Sequence, residues 1–174
     1  MAKNREFWIN AHHYYKEVGQ VRNFKDASGN EFSVGFFKMY PLKHWRAVEL
    51  HTGLKCCRKD HKSLKDCVAE IECLLPMFND NIRSKSEFEP VKRFRNFVDI
   101  MEQFENGNEA CVKLPMFCAL RVMHESDGEH AGSYRWMVID YYGSIMDEYF
   151  TDDISEDTIY NQLCGIYDFV TKNN

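Results

Sequence analysis

Residues 134–150 read YRWMVIDYYGSIMDEYF, and residues 155–170 read SEDTIYNQLCGIYDFV. The first stretch is rich in aromatic and β-branched residues and is broken at Gly143-Ser144. It predicts a strand over 134–142, a tight turn, and a returning strand over 145–150. In the second, Ser155 stands where a helix N-cap belongs, with Glu156 and Asp157 in the first turn. Ile159, Leu163, Ile166, Tyr167 and Val170 keep a 3.6-residue period behind it. Strand, turn, strand, capped helix is therefore the reading that sets the fold class.

The same plan is present upstream. Residues 44–55 read HWRAVELHTGLK and residues 63–78 read SLKDCVAEIECLLPMF. Here Thr52-Gly53 supplies the turn, Leu54 to Arg58 the return, and Ser63 with Asp66 the helix start. Cys67, Val68, Ile71, Leu74, Leu75 and Phe78 line one face, and Pro76 is expected to end or kink the helix. Between these blocks, Asn79 to Glu87 is polar and reads as a linker. Glu89 to Glu105 carries Val91, Phe94, Phe97, Val98, Met101 and Phe104 at helical spacing and stops at Asn106-Gly107-Asn108.

The remaining segments complete two similar halves. Phe7, Ala11, Tyr14, Tyr15 and Val18 fall on one helical face, so a helix is expected to end at Gly19. Gln20 to Lys25 and Glu31 to Tyr40 flank the turn-rich Asp26–Asn30 and read as a hairpin. Ala110 to Met123 reads as one extended piece, followed by a long polar loop from His124 to Ser133. The expectation is an α+β protein with antiparallel sheets and helices packed on one face. It takes the form of a basic half (1–86) and an acidic half (87–174), each a pseudo-duplicated α-β-β-β-α unit, or one compact domain with a shared core.

Charge divides the halves sharply. Residues 1–86 hold 15 Lys+Arg and 10 Asp+Glu, whereas residues 87–174 hold 7 and 17, which together give the net charge of −5. From 43 to 65 the bases Lys43, Arg46, Lys55, Arg58, Lys59, Lys62 and Lys65 are interleaved with histidines. From 140 to 157 come Asp140, Asp147, Glu148, Asp152, Asp153, Glu156 and Asp157 with no base. Exposed patches of this kind steer partners of opposite sign.

Other chemistry is poorly supported. No Gly-rich phosphate loop, nucleophile elbow or dinucleotide fingerprint is present, so no catalytic residue is assigned and no enzyme is expected. Cys56, Cys57, His61 and Cys67 are the densest metal-like group. Adjacent cysteines on a strand point to opposite faces, and Cys67 falls on an apolar helical position, so core thiols are the preferred reading and no metal or cofactor is assigned. His124, Glu125, Asp127, Glu129 and His130 lie in a loop without metalloprotease spacing. No apolar run long enough to span a membrane occurs, no signal peptide is recognisable, and the seven cysteines read as reduced. A soluble, cytoplasmic protein is expected.

The order α-β-β-β-α resembles a double-stranded-RNA-binding domain, but that module grips phosphate with bases at the start of its last helix. Here the position is occupied by Asp152, Asp153, Glu156 and Asp157, so no residue is carried over. In composition the chain resembles small inhibitors of phages and mobile elements, such as anti-CRISPR and antirestriction proteins. The leading expectation is a non-enzymatic binding protein whose acidic C-terminal half docks on a basic, nucleic-acid-handling protein. Its contact residues are Asp140, Asp147, Glu148, Asp152, Asp153, Glu156, Asp157, Tyr142 and Glu129, with Tyr141, Tyr142, Tyr149 and Tyr160 as the aromatic anchors, half of which are expected in the core because strand positions alternate. The alternatives are a nucleic-acid-binding module using Lys55, Arg58, Lys59 and Lys62, and a metal-dependent enzyme; a homodimer is also open.

Overall fold

A computed structural model describes residues 4–78 and 89–172. The fold is α+β, with two antiparallel four-stranded sheets and three helices. The chain divides into two compact units between Phe94 and Arg95. The linker expected over Asn79 to Glu87 lies outside the described residues.

In the first unit β1 (Asn4–Asn10), β2 (Tyr14–Lys25), β3 (Glu31–Met39) and β4 (His44–Glu49) form a meander in that order, followed by α1 (Leu64–Phe78). Strand alternation sorts the side chains. Phe32, Val34, Phe36 and Ala47 pack with Cys57, Cys67, Ile71 and Phe78 on the α1 side of the sheet. Phe7, Ile9, Phe37 and Val48 form a separate buried cluster. Ser63 Oγ accepts the Asp66 N–H at 3.1 Å and caps α1 as expected. Pro76 sits inside the last turn without ending the helix, which runs to Phe78; so near the C-terminus its missing N–H removes only one bond.

The helix expected from Phe7 to Val18 is instead the β1–β2 hairpin, with Phe7 facing Glu17 and Ile9 facing Tyr15. The chain reverses at Ala11–His13, and the residues at helical spacing divide between the two faces of the hairpin, Phe7 and Tyr15 lying on one together with Ile9, and Tyr14 and the exposed Val18 on the other. Aromatic and β-branched residues favour that outcome. The expected return strand over Leu54 to Arg58 reduces to isolated bridges, Val48 to Lys55 and Trp45 to His61.

The second unit takes α2 (Glu89–Asn106) from Arg95 onward. It continues with β5 (Glu109–Lys113), β6 (Ala119–His124), β7 (Tyr134–Ile139), β8 (Ile145–Thr151) and α3 (Glu156–Lys172), the strands pairing in chain order. Register places Ala110, Val122, Trp136 and Tyr149 in one inward row and Val112, Leu120, Val138 and Asp147 in the next. Ile159, Leu163, Ile166, Tyr167 and Val170 of α3 are buried. Buried Asn96 donates to the Lys113 carbonyl at 2.8 Å and to Tyr167 Oη at 2.9 Å, tying α2 to β5 and α3.

Two expectations fail in this unit. Ala110 to Met123 is a hairpin of two strands rather than one extended piece, because Leu114 and Cys118 close a turn, the Leu114 N–H donating to the Cys118 carbonyl at 2.9 Å. The strand expected to reach Tyr142 stops at Ile139, since Asp140 opens a turn of its own. No described helix is long and apolar enough to cross a membrane.

Candidate protein-binding site

Five of the acidic residues singled out in the sequence fall at two ends of the second sheet, with Asp147 and Glu148 on β8 between them and Glu129 in the β6–β7 loop. Asp140 and Tyr142 lie in the β7–β8 turn. Asp152, Asp153, Glu156 and Asp157 lie beyond the far end of β8, a strand of seven residues and so roughly 20 Å away.

Local structure explains several of these carboxylates. Asp140 Oδ1 accepts the N–H groups of Tyr142 at 2.9 Å and Ser144 at 2.8 Å, organising the turn. Gly143, at φ 86°, supplies the left-handed residue that the turn requires. At the start of α3, Ser155 Oγ accepts the Thr158 N–H at 3.3 Å, and Asp153 Oδ1 accepts the Thr158 hydroxyl. Glu156 and Asp157 complement the helix dipole there. Asp147 is half-buried beside Val138 and takes the Glu148 N–H at 2.9 Å. Glu148 pairs with Arg135, which also approaches Glu125 at 3.8 Å. Glu129 is exposed on a loop whose next residue, His130, stacks on Phe150 with ring centroids 3.9 Å apart.

Tyr142, an expected contact residue, lies at the turn end beside Phe117, which sequence reasoning missed. Phe117, Tyr141 and Tyr142 are 84%, 75% and 87% exposed. Phe117 meets Tyr141 edge-on at 6.4 Å and 79°, and Tyr141 meets Tyr142 at 5.5 Å and 82°. The turns 114–118 and 140–144 share one end of the sheet, since Ala119 pairs with Ile139. Met116 and Phe117 both adopt positive φ, 57° and 60°, a region that bulky residues rarely enter. Met116 and Ile145 add half-exposed apolar surface. The sequence carries a signal for each turn: Pro115 within Leu-Pro-Met-Phe at 114–117, and Asp-Tyr-Tyr-Gly at 140–143, whose first three residues fall inside the strand expected to reach Tyr142.

No family model, curated protein or solved structure matches this chain.

The basic residues Lys55, Arg58, Lys59 and Lys62 are all exposed on the segment joining β4 to α1. That segment is pinned. Asp60 accepts a bidentate pair from Arg46 at 2.9 and 2.8 Å and an ion pair from Lys55 at 3.1 Å. Arg46 first, with Lys55 assisting, holds the Asp60 carboxyl down at about 2. Glu70 binds His61 Nε2 at 2.6 Å and the Arg58 N–H at 3.3 Å. Beside it, a groove of about 430 Å³ is lined by Arg22, Leu64, Lys65, Val68, Ala69 and Glu72.

Neither metal-like cluster converges. His61 is taken by Glu70, and Cys57 exchanges hydrogen bonds with the Ala47 backbone. Burial pushes the Cys56 thiol up, whereas a hydrogen bond from Cys67 draws Cys57 below the usual thiol range. In the 124–130 loop, His124 packs on Tyr134 while Glu125 turns to Arg135. Among the described residues no three His, Cys, Asp or Glu side chains are grouped to hold a metal ion.

Proposed function

We propose that the protein is a non-enzymatic binding protein whose acidic second unit docks on a basic, nucleic-acid-handling protein and excludes its nucleic acid, an inhibitory role of the anti-CRISPR or antirestriction kind. One observation carries this reading. Arg121 and Arg135, the only bases from 114 to 171, are already committed to Glu109, and to Glu125 and Glu148. Asp140, Asp152, Asp153, Glu156 and Asp157 are left without a basic partner among the described residues. Such a surface repels phosphate and attracts a cationic protein face. Reversing Asp147, Asp152, Asp153 and Asp157 to Lys together is expected to abolish partner capture. Capture unchanged by that reversal removes the reading.

A second reading is favoured by the pinned basic segment. Arg58, Lys59 and Lys62 project from a loop whose shape is fixed by Asp60 and Glu70, an arrangement suited to phosphate contacts. It requires nucleic-acid affinity that falls steeply with salt and is lost when Lys55, Arg58, Lys59 and Lys62 are changed to Ala together. A gel-shift titration of the wild type that shows no retardation disposes of it.

A further inference from the structure

We propose that Phe117, Tyr141 and Tyr142 anchor the docking surface and receive arginine side chains of the basic partner. This rests on the acidic-docking reading above and names the contact that it uses.

Three observations converge on the turn end of the second sheet. The first is exposure: three large rings, each at least three-quarters exposed, are gathered within two neighbouring turns with Met116 and Ile145 beside them. Single exposed aromatics are ordinary, but a contiguous group marks a contact site. The second is backbone conformation. Phe117 and Met116 hold left-handed φ values of 60° and 57°, where glycine would be the natural choice. The Phe117 ring is 84% exposed and among the described rings meets only that of the exposed Tyr141, so a role outside the fold is the reason to place a bulky residue there. The third is ring geometry. Successive planes stand at 79° and 82°, so the three rings form walls at near right angles rather than a flat stack. Angled aromatic walls present π faces to a cation.

The surrounding charge selects the occupant. Residues 95–174 hold 5 Lys+Arg against 15 Asp+Glu, and Asp140 lies in the same turn as Tyr141 and Tyr142. A nucleic-acid base also stacks on aromatics, but its phosphates would meet the Asp140 carboxylate in the turn and the net negative charge of the unit as a whole. Arginine fits better than lysine, because the planar, weakly hydrated guanidinium stacks on a ring while keeping its donors free for carboxylates. Lys113, the last residue of β5, directly precedes the 114–118 turn, so its charge is expected to oppose a bound cation.

The test titrates the full chain with a labelled oligoarginine peptide, an oligolysine peptide of equal length and an uncharged apolar peptide at physiological salt. The variants are Phe117→Leu/Tyr142→Leu, which keeps apolar bulk without π faces; Asp152→Asn/Asp153→Asn/Glu156→Gln/Asp157→Gln; and Lys113→Glu. The replaced rings are exposed, so unchanged thermal unfolding is expected to accompany the double leucine variant. The wild type is expected to prefer oligoarginine to oligolysine. The leucine variant should lose about tenfold in oligoarginine affinity and the preference with it, and Lys113→Glu should tighten binding a few-fold. If the leucine variant binds as the wild type does while the neutralised helix-start variant loses affinity, the anchor is overturned and the acidic-docking reading stands. Equal weakening toward all three peptides reduces the cluster to a plain apolar patch and likewise overturns it. If the wild type binds neither cationic peptide, the acidic-docking reading itself falls.

Discussion

Asp60 shows how one side chain fixes a functional segment. Its carboxylate is clasped by Arg46 and Lys55 and is only 22% exposed. The folded carboxyl titrates at about 2, below its unfolded value near 4. The pair therefore stabilises the fold above pH 4, and that stability is lost as pH falls from about 4 through about 2. Asp60→Asn should cost about 1–2 kcal/mol at pH 7 and flatten the stability profile between pH 4 and 2, as read by urea unfolding across that range. Tyr149 makes the opposite case. Its hydroxyl is buried with no hydrogen-bond partner among the described residues, and burial raises its pKa. The ring, stacked 6.0 Å from Trp136, supplies the packing. Tyr149→Phe should leave the melting temperature unchanged or raise it, because an unsatisfied polar atom is removed. A loss above about 1 kcal/mol would mean that the hydroxyl has a partner.

Among the elements, α1 and α3 carry their local stability in signals that any reader of the chain can see. Each has a serine N-cap, an apolar face of period 3.6 and acid in the first turn, Asp66 in α1 and Glu156 and Asp157 in α3. Leu163, 1% exposed on α3, should cost about 2–5 kcal/mol when cut to Ala, measured by chemical denaturation. Strands β3, β7 and β8 and the second helix, α2, were legible for the same reason: each keeps one period without conflict. Residues 7–18 were not, because Phe7, Tyr14, Tyr15 and Val18 fall at helical spacing, whereas in the hairpin Phe7 and Tyr15 lie on one face and Tyr14 and Val18 on the other. Only pairing with β3 and the cluster around Phe37 decides between helix and hairpin. The turn at 114–118 was hidden because Leu, Pro, Met and Phe fill a place where polar turn residues are expected. That departure from local rules coincides with the exposed aromatic cluster, the part of the candidate site that charge counting alone passed over. The four acidic residues before and within the first turn of α3 were legible in sequence, yet they belong as much to helix capping as to docking.

At the scale of the molecule, the opposition of charge is the most consequential property. Residues 1–94 hold 17 Lys+Arg and 12 Asp+Glu, and residues 95–174 hold 5 and 15, so the compact units keep the contrast present along the chain. A partner held by such a surface should associate quickly at low ionic strength and dissociate as salt shortens the Debye length below about 8 Å. The most direct measurement is affinity capture from a lysate of the organism that encodes the chain. Wild type is compared with the Asp147→Lys/Asp152→Lys/Asp153→Lys/Asp157→Lys variant, with and without nuclease, at low and high salt. The account predicts a basic, nucleic-acid-handling protein retained by the wild type after nuclease, released by salt and absent from the variant. Recovery that depends on intact nucleic acid, or that survives charge reversal, would contradict it.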